Sequence, residues 1–390
     1  MKKYARFLEK VAVGFVCVFF TCCITEYNPK GIDEIADILV VEGIVTDYET
    51  AVILSRSANL TGKGEEGYLY YVNNAKVYVE CDDGTQWQAD DSDLEAVNGQ
   101  YMVRTGLLNM DKKYRLKIEI EEVDFGSDDC TTDPFGRVEC PMKTYEYCSD
   151  YSYPIPTPEI DSVFWTKRGR GQSVNIHVAT HSPESNVLYY RWSYKEDWEI
   201  NSEYFWEIYP YYCWGEANHR DLVFVSAEKT VMGKLTEIIT EISPSHKKLS
   251  VLYRITVKQN AISKRAYDYF SNIKKNVEQS GSIFAPIPSE LRGNITCTND
   301  PARPVIGYVD ISTTTQRRLY ISRAEVYERP YGECSSLSSS EVIELFGEIP
   351  PFIIRYDPYE MGDDVFVDIK CVDCSVYDVV PKPDDWPNDH

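Results

Sequence analysis

The sequence has no apolar run long enough to span a membrane. Its most hydrophobic stretch, from Val11 to Phe20, is shorter than the roughly 20 residues that a transmembrane helix needs. Basic residues are also scarce, since 40 Lys and Arg stand against 62 Asp and Glu, for a net charge of −22. Such a chain repels a phosphate backbone, so the composition argues against nucleic acid as a partner. Cationic ligands, divalent ions and basic protein surfaces are favoured instead.

The usual catalytic motifs are missing as well. The sequence contains neither Gly-x-Ser-x-Gly nor His-Glu-x-x-His, and no pattern selects a carboxylate pair among its 62 acidic residues. We therefore predict no catalytic residue, no metal site and no cofactor, and expect a protein that is not an enzyme. Hydrolysis by two carboxylates stays open as an alternative, because the pairing of carboxylates cannot be read from sequence.

The N-terminus carries an export signal. Lys2, Lys3, Arg6 and Lys10 precede the short apolar run, as in a signal peptide. The run ends in "FTCC", which resembles the lipobox of bacterial lipoproteins and makes Cys23 the predicted site of lipidation. We predict a signal peptide over residues 1–22 and a tether over residues 23–38. Several acyl chains on Cys23 would anchor the protein stably to a membrane.

Dense strand patterns follow the tether. Stretches such as "AKVYVECDDGTQW" and "KYRLKIEIEEV" alternate, and the hairpin signals Asp83-Gly84 and Asn98-Gly99 separate them. The high tyrosine content, 30 residues, also favours strands. We predict a mostly β protein that begins with an immunoglobulin-like or transthyretin-like β-sandwich over residues 39–153.

The segment "SYPIPTPEIDSV" predicts a stiff linker into a second unit. Over residues 154–390 we predict a second β-sandwich with one or two inserted helices. The clearest helical pattern runs from Ser263 to Ser280, because Ser263 can cap it and Ala266 and Phe270 lie on one apolar face. A shorter helix is predicted from Ser340 to Phe346.

Nine cysteines besides Cys23 lie in the predicted mature chain, and an exported protein meets an oxidising compartment. The last two form "CVDC", which no helical pattern follows and which no second Cys-x-x-Cys could complete as a zinc site. We predict a structural disulfide there, within the pair or to distant cysteines. The connectivity is left open, and the candidates are Cys130, Cys140, Cys148, Cys213, Cys297, Cys334, Cys371 and Cys374.

The segment "EYFWEIYPYYCW" concentrates aromatic residues. Packing between strands is the favoured interpretation. The alternative is a binding surface on which Trp206, Tyr209 and Trp214 stack against a ligand or a partner.

Several of these stretches, in order, resemble a family of Bacteroidota lipoproteins grouped as domain of unknown function 4249. The resemblance covers nearly the whole mature chain and rests on "LVVEGIVTD" from Leu39, "YYRWSYKEDWEI" from Tyr189, "GSIFAPIPSELRGNI" from Gly281, "VIGYVDIS" from Val305 and the closing "CVDC" and "PDDW". Ala285, "PDDW" and the cysteine-rich loop near residue 140 depart from the family pattern. The resemblance carries no catalytic residues.

The resemblance implies an outer-membrane lipoprotein that is encoded beside a TonB-dependent transporter. We therefore expect a non-enzymatic, ligand-binding or accessory subunit of such a transporter, anchored through Cys23 on either face of the outer membrane. The alternatives are a surface hydrolase that acts on glycans or peptides, and a structural or adhesive envelope protein.

Overall fold

The computed structural model describes residues 38–57, 70–90, 98–124, 127–132, 138–181, 187–230, 234–244, 246–279, 293–326, 334–356 and 365–387. The predicted signal peptide, the lipidation candidate Cys23 and the tether up to residue 37 lie outside these residues.

Most of the described chain is β-strand, which confirms the predicted fold class. The first strands are β1 (Leu39–Gly43), β2 (Val45–Thr46), β3 (Tyr48–Arg56), β4 (Tyr70–Tyr71), β5 (Ala75–Cys81), β6 (Gln86–Gln88), β7 (Gln100–Gly106), β8 (Tyr114–Val123), β9 (Thr131–Thr132), β10 (Val138–Glu139) and β11 (Met142–Ser149). The next are β12 (Ile160–Lys167), β13 (Val174–Thr180), β14 (Tyr189–Asn201), β15 (Tyr212–Ser226), β16 (Leu235–Ile242) and β17 (Leu252–Ala261). The last are β18 (Ile295–Cys297), β19 (Val305–Gly307), β20 (Ile311–Ser312), β21 (Thr314–Ser322), β22 (Leu337–Ser338), β23 (Ile353–Arg355) and β24 (Val365–Asp368).

The first sandwich packs two sheets around one core. One sheet has the order β19-β1-β3-β4, with β7 also paired to β3, and the other has the order β18-β11-β8-β5-β6. Strand alternation builds the core, because every second residue of β5 is buried and Val77 lies opposite Ile118 of β8. Leu39, Leu54 and the other buried side chains of both sheets form one apolar cluster.

The first sandwich takes strands from distant parts of the sequence. β18 pairs with β11, while β19 and β20 pair in parallel with β1 and β2. These three strands follow β17 in the chain, so strands on both sides of residue 153 build the first sandwich. The chain leaves this sandwich, forms the second and returns, and the β2–β3 segment is thereby fixed beside the second sandwich.

The second sandwich also has two sheets, with the orders β12-β13-β16 and β15-β14-β17-β21. Its core contains the large buried side chains Trp192, Tyr190 and Tyr253 together with Ile176. Since β14 alternates, Tyr190 and Trp192 point into this core and Arg191 and Ser193 point to the outer face of the sheet.

Three α-helices lie in the described residues: α1 (Lys264–Gln279), α2 (Arg323–Val326) and α3 (Ser339–Phe346). The Ser263 hydroxyl accepts a hydrogen bond from the Ala266 N–H at 3.1 Å, so Ser263 caps α1 as predicted. Ser338 and Glu341 form a capping box at α3, and Gly347 ends that helix with φ 78°. Both predicted helices are confirmed, and the single turn α2 was not predicted. No helix in the described chain is long and apolar enough to cross a bilayer.

Six of the described cysteines form three disulfides: Cys130–Cys140, Cys213–Cys374 and Cys334–Cys371. Both cysteines of "CVDC" are therefore in structural disulfides, and each pairs with a distant residue. Cys213–Cys374 links the start of β15 to the C-terminal segment. Cys334–Cys371 links the chain just before β22 to the chain just after β24, in the small β22-β24-β23 sheet.

Cys148 and Cys297 were also candidates, and for them the prediction is wrong, because both are free and buried. They lie on the paired strands β11 and β18, but Cys297 is opposite Tyr147, and Cys148 is opposite Thr296. Cys297 and Tyr147 face the core of the first sandwich. Neighbouring strand residues point to opposite faces, so the two thiols are on different sides of the sheet. Cys81 is likewise free and buried.

Candidate functional site: a polar groove beside the two sandwiches

The outer face of the β15-β14-β17-β21 sheet carries regular rows of polar side chains. Strand register places Arg191 opposite Asn260, and Asn260 opposite Thr314. In the next row Ser193 lies opposite Lys258, which lies opposite Gln316. A third row contains Lys195, Thr256 and Arg318. We call the depression above these rows the central groove.

One end of the groove is closed by the β2–β3 segment of the first sandwich. Asp47 is fixed there because its Oδ1 accepts a hydrogen bond from the Thr314 N–H at 2.8 Å. Thr50 supports the same turn by accepting from the Thr46 N–H at 2.9 Å. Tyr48 has φ 65° and 60% of its surface exposed. A left-handed tyrosine is a strained backbone position, and such positions cluster at functional sites.

This end encloses a cavity of about 540 Å³. Its floor is formed by Arg191, Ser193, Lys258, Asn260, Thr314 and Gln316, and its wall by residues 44–51. A second cavity of about 490 Å³ continues along the sheet and shares Ser193, Lys258 and Gln316 with the first. Both volumes are in the range of small-molecule sites, and the lining is rich in hydroxyl, amide and charged groups.

Arg191 is the unusual residue of the first cavity. Its Nε atom is fully enclosed and has no hydrogen-bond partner among the described residues. Burial lowers the pKa of Arg191 to about 10, against the opposing effect of the Glu42 carboxylate. Arg191 as a whole is half-buried, but its enclosed Nε–H has lost water without gaining a hydrogen bond from the described residues, which costs free energy. The position is therefore suited to an anionic group that the protein itself does not supply.

The C-terminal segment closes the other end of the groove, and its "PDDW" sequence attaches it there. Asp385 accepts from Arg254 at 2.7 Å through Oδ1 and pairs with Arg318 at 2.7 Å through Oδ2. Trp386 is buried and its Nε1–H donates to Glu199 at 2.9 Å. The two residues hold the tail on the sheet, where Asp197 also binds Arg254 at 2.9 Å.

A buried carboxylate lies beneath the second cavity. Glu196 accepts from Lys248 at 2.6 Å and from Tyr253 at 2.7 Å, and its Oε2 contacts His219 Nε2. Burial alone would raise the pKa of Glu196, but the hydrogen bonds from Lys248, Tyr253 and His219 outweigh it and leave the pKa lowered. His219 also lines the second cavity. The cluster is saturated with donors, as expected of a structural charge network.

The predicted aromatic residues lie outside the groove. Trp206 and Tyr209 are half-buried and pack against the C-terminal sheet, with Trp206 5.7 Å from the Tyr356 ring centroid. Lys382 Nζ lies 5.5 Å from the Trp214 ring centroid. Packing thus accounts for Trp206 and Tyr209, whereas the buried Nε1 of Trp214 has no hydrogen-bond partner among the described residues. The exposed apolar residues of the segment are Phe205, Ile208 and Tyr212, at 62%, 68% and 55%.

Sequence reasoning missed the groove residues. The alternation in "YYRWSYKEDWEI" marks Arg191, Ser193 and Lys195 as one face of a strand, but such a face is usually solvated. One feature of the sequence could have identified Arg191, namely a basic residue between the two core aromatics Tyr190 and Trp192 in an acidic chain. That feature alone does not distinguish a binding residue from a solvated one. Among the described residues, no group of three or more His, Cys, Asp and Glu side chains could hold a metal ion.

Comparison with known families gives one match. The family model described as "Domain of unknown function (DUF4249)" matches residues 24–135 and 137–318. The matched residues include Arg191, Lys258 and the wall of the central groove, whereas the tail with Asp385 and Trp386 lies beyond them. No curated protein matches the chain.

Proposed function

The chain belongs to the family of domain of unknown function 4249, and we propose that it is a non-enzymatic outer-membrane lipoprotein that binds a ligand as an accessory subunit of a TonB-dependent transporter. The central groove is the observation that carries this proposal. It offers two joined cavities, a polar lining and an unsatisfied cationic group, and those features suit the capture of a small ligand.

The membrane part of the proposal rests on the sequence. The basic N-terminus, the short apolar run and "FTCC" support anchoring through acyl chains on Cys23. The net charge of −22 favours docking onto basic loops of a barrel protein, and this attraction would weaken with salt. The exposed Phe205, Ile208 and Tyr212 replace Trp206, Tyr209 and Trp214 as the anchors that we propose for such a contact.

The binding role is tested by incubating the full-length protein in detergent with a panel of glycans and peptides. Mass spectrometry of the bound and unbound material should show retention without chemical change. Ser193 lines both cavities, so Ser193→Trp should fill the groove and abolish retention. Gln86→Trp, at an exposed position of the first sandwich, is the matched control and should bind normally. Equal retention by wild type and Ser193→Trp would contradict a role for the groove.

One observation favours the hydrolase alternative. The His219 imidazole contacts a buried carboxylate and reaches the second cavity, an arrangement that could orient a general base. Turnover of any panel member that disappears in His219→Ala, while binding persists, would establish this alternative. We expect no turnover in either protein.

A further inference from the structure

At the end of the groove that β2 and β3 close, two cations form no ion pair with a described residue, and the Glu42 carboxylate acts on Arg191 only at longer range. Within the described part of the chain, neither Arg191 nor Lys258 has a carboxylate within 4.0 Å, the limit for a salt bridge, although acidic residues outnumber basic ones by 62 to 40. The acids of the wall keep their charge but bind other groups. Asp47 accepts from the Thr314 N–H, and Glu49 faces Arg104 at 3.4 Å.

The geometry around Arg191 favours a particular ligand. Its guanidinium group is planar and presents a fork of N–H donors that matches the two oxygens of a carboxylate. Ser193 and Gln316 line the same cavity and provide a hydroxyl and an amide group for further polar atoms of the ligand. Asn260 lines it too, but its Nδ2 already donates to the Thr313 carbonyl at 3.2 Å and the Thr314 hydroxyl at 2.8 Å, so it offers its Oδ1 as an acceptor. Asp47 and Glu49 at the wall disfavour a dianion such as a phosphate monoester.

We propose that the first cavity is a carboxylate site, in which Arg191 binds the carboxylate of a small hydroxylated acid and Ser193, Asn260 and Gln316 bind its hydroxyl groups. This inference rests on the proposed binding function and specifies its ligand class. Lys258, opposite Ser193 in the next row, adds a second positive charge. Tyr48 borders the site with an exposed ring on a left-handed backbone and can cover the ligand from the wall.

The direct test compares a charged probe with its neutral counterpart. Binding of glucuronate, glucose, acetate and inorganic phosphate to the full-length protein in detergent would be measured by calorimetry. Glucuronate should bind best, because only it combines the carboxylate with the hydroxyl groups. Arg191→Met should weaken glucuronate binding about ten- to hundredfold, the usual effect of losing a hydrogen bond to a charged group. Arg191→Lys should recover only part of the loss, since it keeps the charge without the fork.

A matched control is the exposed Arg168, which lies in the β12–β13 turn away from the groove. Arg168→Met removes the same charge and should leave glucuronate binding unchanged. If Arg168→Met and Arg191→Met weaken binding equally, the effect is one of net charge and the proposal is wrong.

A second measurement separates a ligand-binding role of Arg191 from a structural one. An arginine whose partner is supplied only by the ligand destabilises the ligand-free protein, so Arg191→Met should raise the melting temperature of that protein. Glucuronate should raise the melting temperature of wild type only. An arginine required for folding would give a lower melting temperature in the variant.

The outcomes also separate this inference from the proposed function. If glucose binds as tightly as glucuronate and Arg191→Met binds both normally, the groove still captures a ligand but is not a carboxylate site. Tighter binding of phosphate than of glucuronate would likewise overturn the ligand class. If neither glucuronate nor acetate binds at all, the carboxylate site is refuted, whatever the glycan and peptide panel shows.

Discussion

At the residue scale, burial decides which side chains are reactive and which are inert. Cys148 is buried on the face of β11 that points away from the core of the first sandwich, and burial raises the pKa of its thiol to about 11. Burial also raises the pKa of Cys81. Because only a thiolate reacts readily, these two cysteines should be unreactive in the folded protein.

We expect iodoacetamide to modify none of Cys81, Cys148 and Cys297 in the native protein and all three in guanidinium chloride. The other described cysteines should react only after reduction, because they are in disulfides. Peptide mass mapping of the two samples tests both statements. Modification of Cys148 in the native state would show that its thiol is accessible, and a Cys148–Cys297 bridge would contradict the register of β11 and β18.

The buried Glu196 should make the stability of the protein depend on pH. Its pKa is lowered in the folded protein, so its interactions stabilise the fold above the unfolded pKa of about 4.3. That contribution is lost as the pH falls through the folded pKa. Glu196→Gln removes a buried charge and leaves the half-buried Lys248 beside a neutral group, which should cost roughly 3 kcal/mol at pH 7. The difference between variant and wild type should shrink in acid.

Urea titrations at several pH values measure this effect. Glu216→Gln is the control, because Glu216 is exposed and pairs only with Lys195 at 2.7 Å. It should change the free energy of unfolding by less than about 1 kcal/mol. A constant difference between Glu196→Gln and wild type from pH 7 to pH 3 would contradict the lowered pKa.

At the element scale, local signals were predictable and long-range ones were not. The caps of α1 and α3 lie within a few residues of each helix, so Ser263, and Gly347 after Phe346, could be recognised in the sequence. The partners of Cys371 and Cys374 lie 37 and 161 residues away. No local pattern encodes such pairings, and the return of β18 to the first sandwich is hidden for the same reason.

The three disulfides should differ in their contribution to stability. If a disulfide acts by restricting the unfolded chain, the stability lost on its removal grows with the number of residues in the loop that it closes. Replacing both cysteines by Ser should lower the free energy of unfolding by about 5 kcal/mol for Cys213–Cys374, about 4 kcal/mol for Cys334–Cys371 and about 3 kcal/mol for Cys130–Cys140. Denaturant unfolding of the three double variants measures the order. The largest loss at Cys130–Cys140, which bridges a separation of only 10 residues, would contradict this account.

At the scale of the whole molecule, the groove depends on both sandwiches and the tail. Strands β14, β17 and β21 make its floor, β2 and β3 make one wall, and Asp385 closes the other end. The sequence allowed two β-sandwiches to be predicted but not the face on which they meet. That face is set by the parallel pairing of β2 with β20, which joins residues 45–46 to residues 311–312.

We propose that the protein is anchored by lipid and serves a barrel transporter. Affinity purification of the tethered protein from solubilised outer membranes tests it most directly. Phe205→Ser together with Ile208→Ser should reduce recovery of the partner, whereas Leu107→Ser, at a site of comparable exposure of 73% on the first sandwich, should not.

Cys23→Ala should lose acyl labelling and leave the membrane fraction.

We expect wild type to recover one dominant β-barrel protein, and we expect recovery to fall as salt is raised, because the docking is partly electrostatic. Isolation of the protein alone, across several detergents and at low salt, would contradict it.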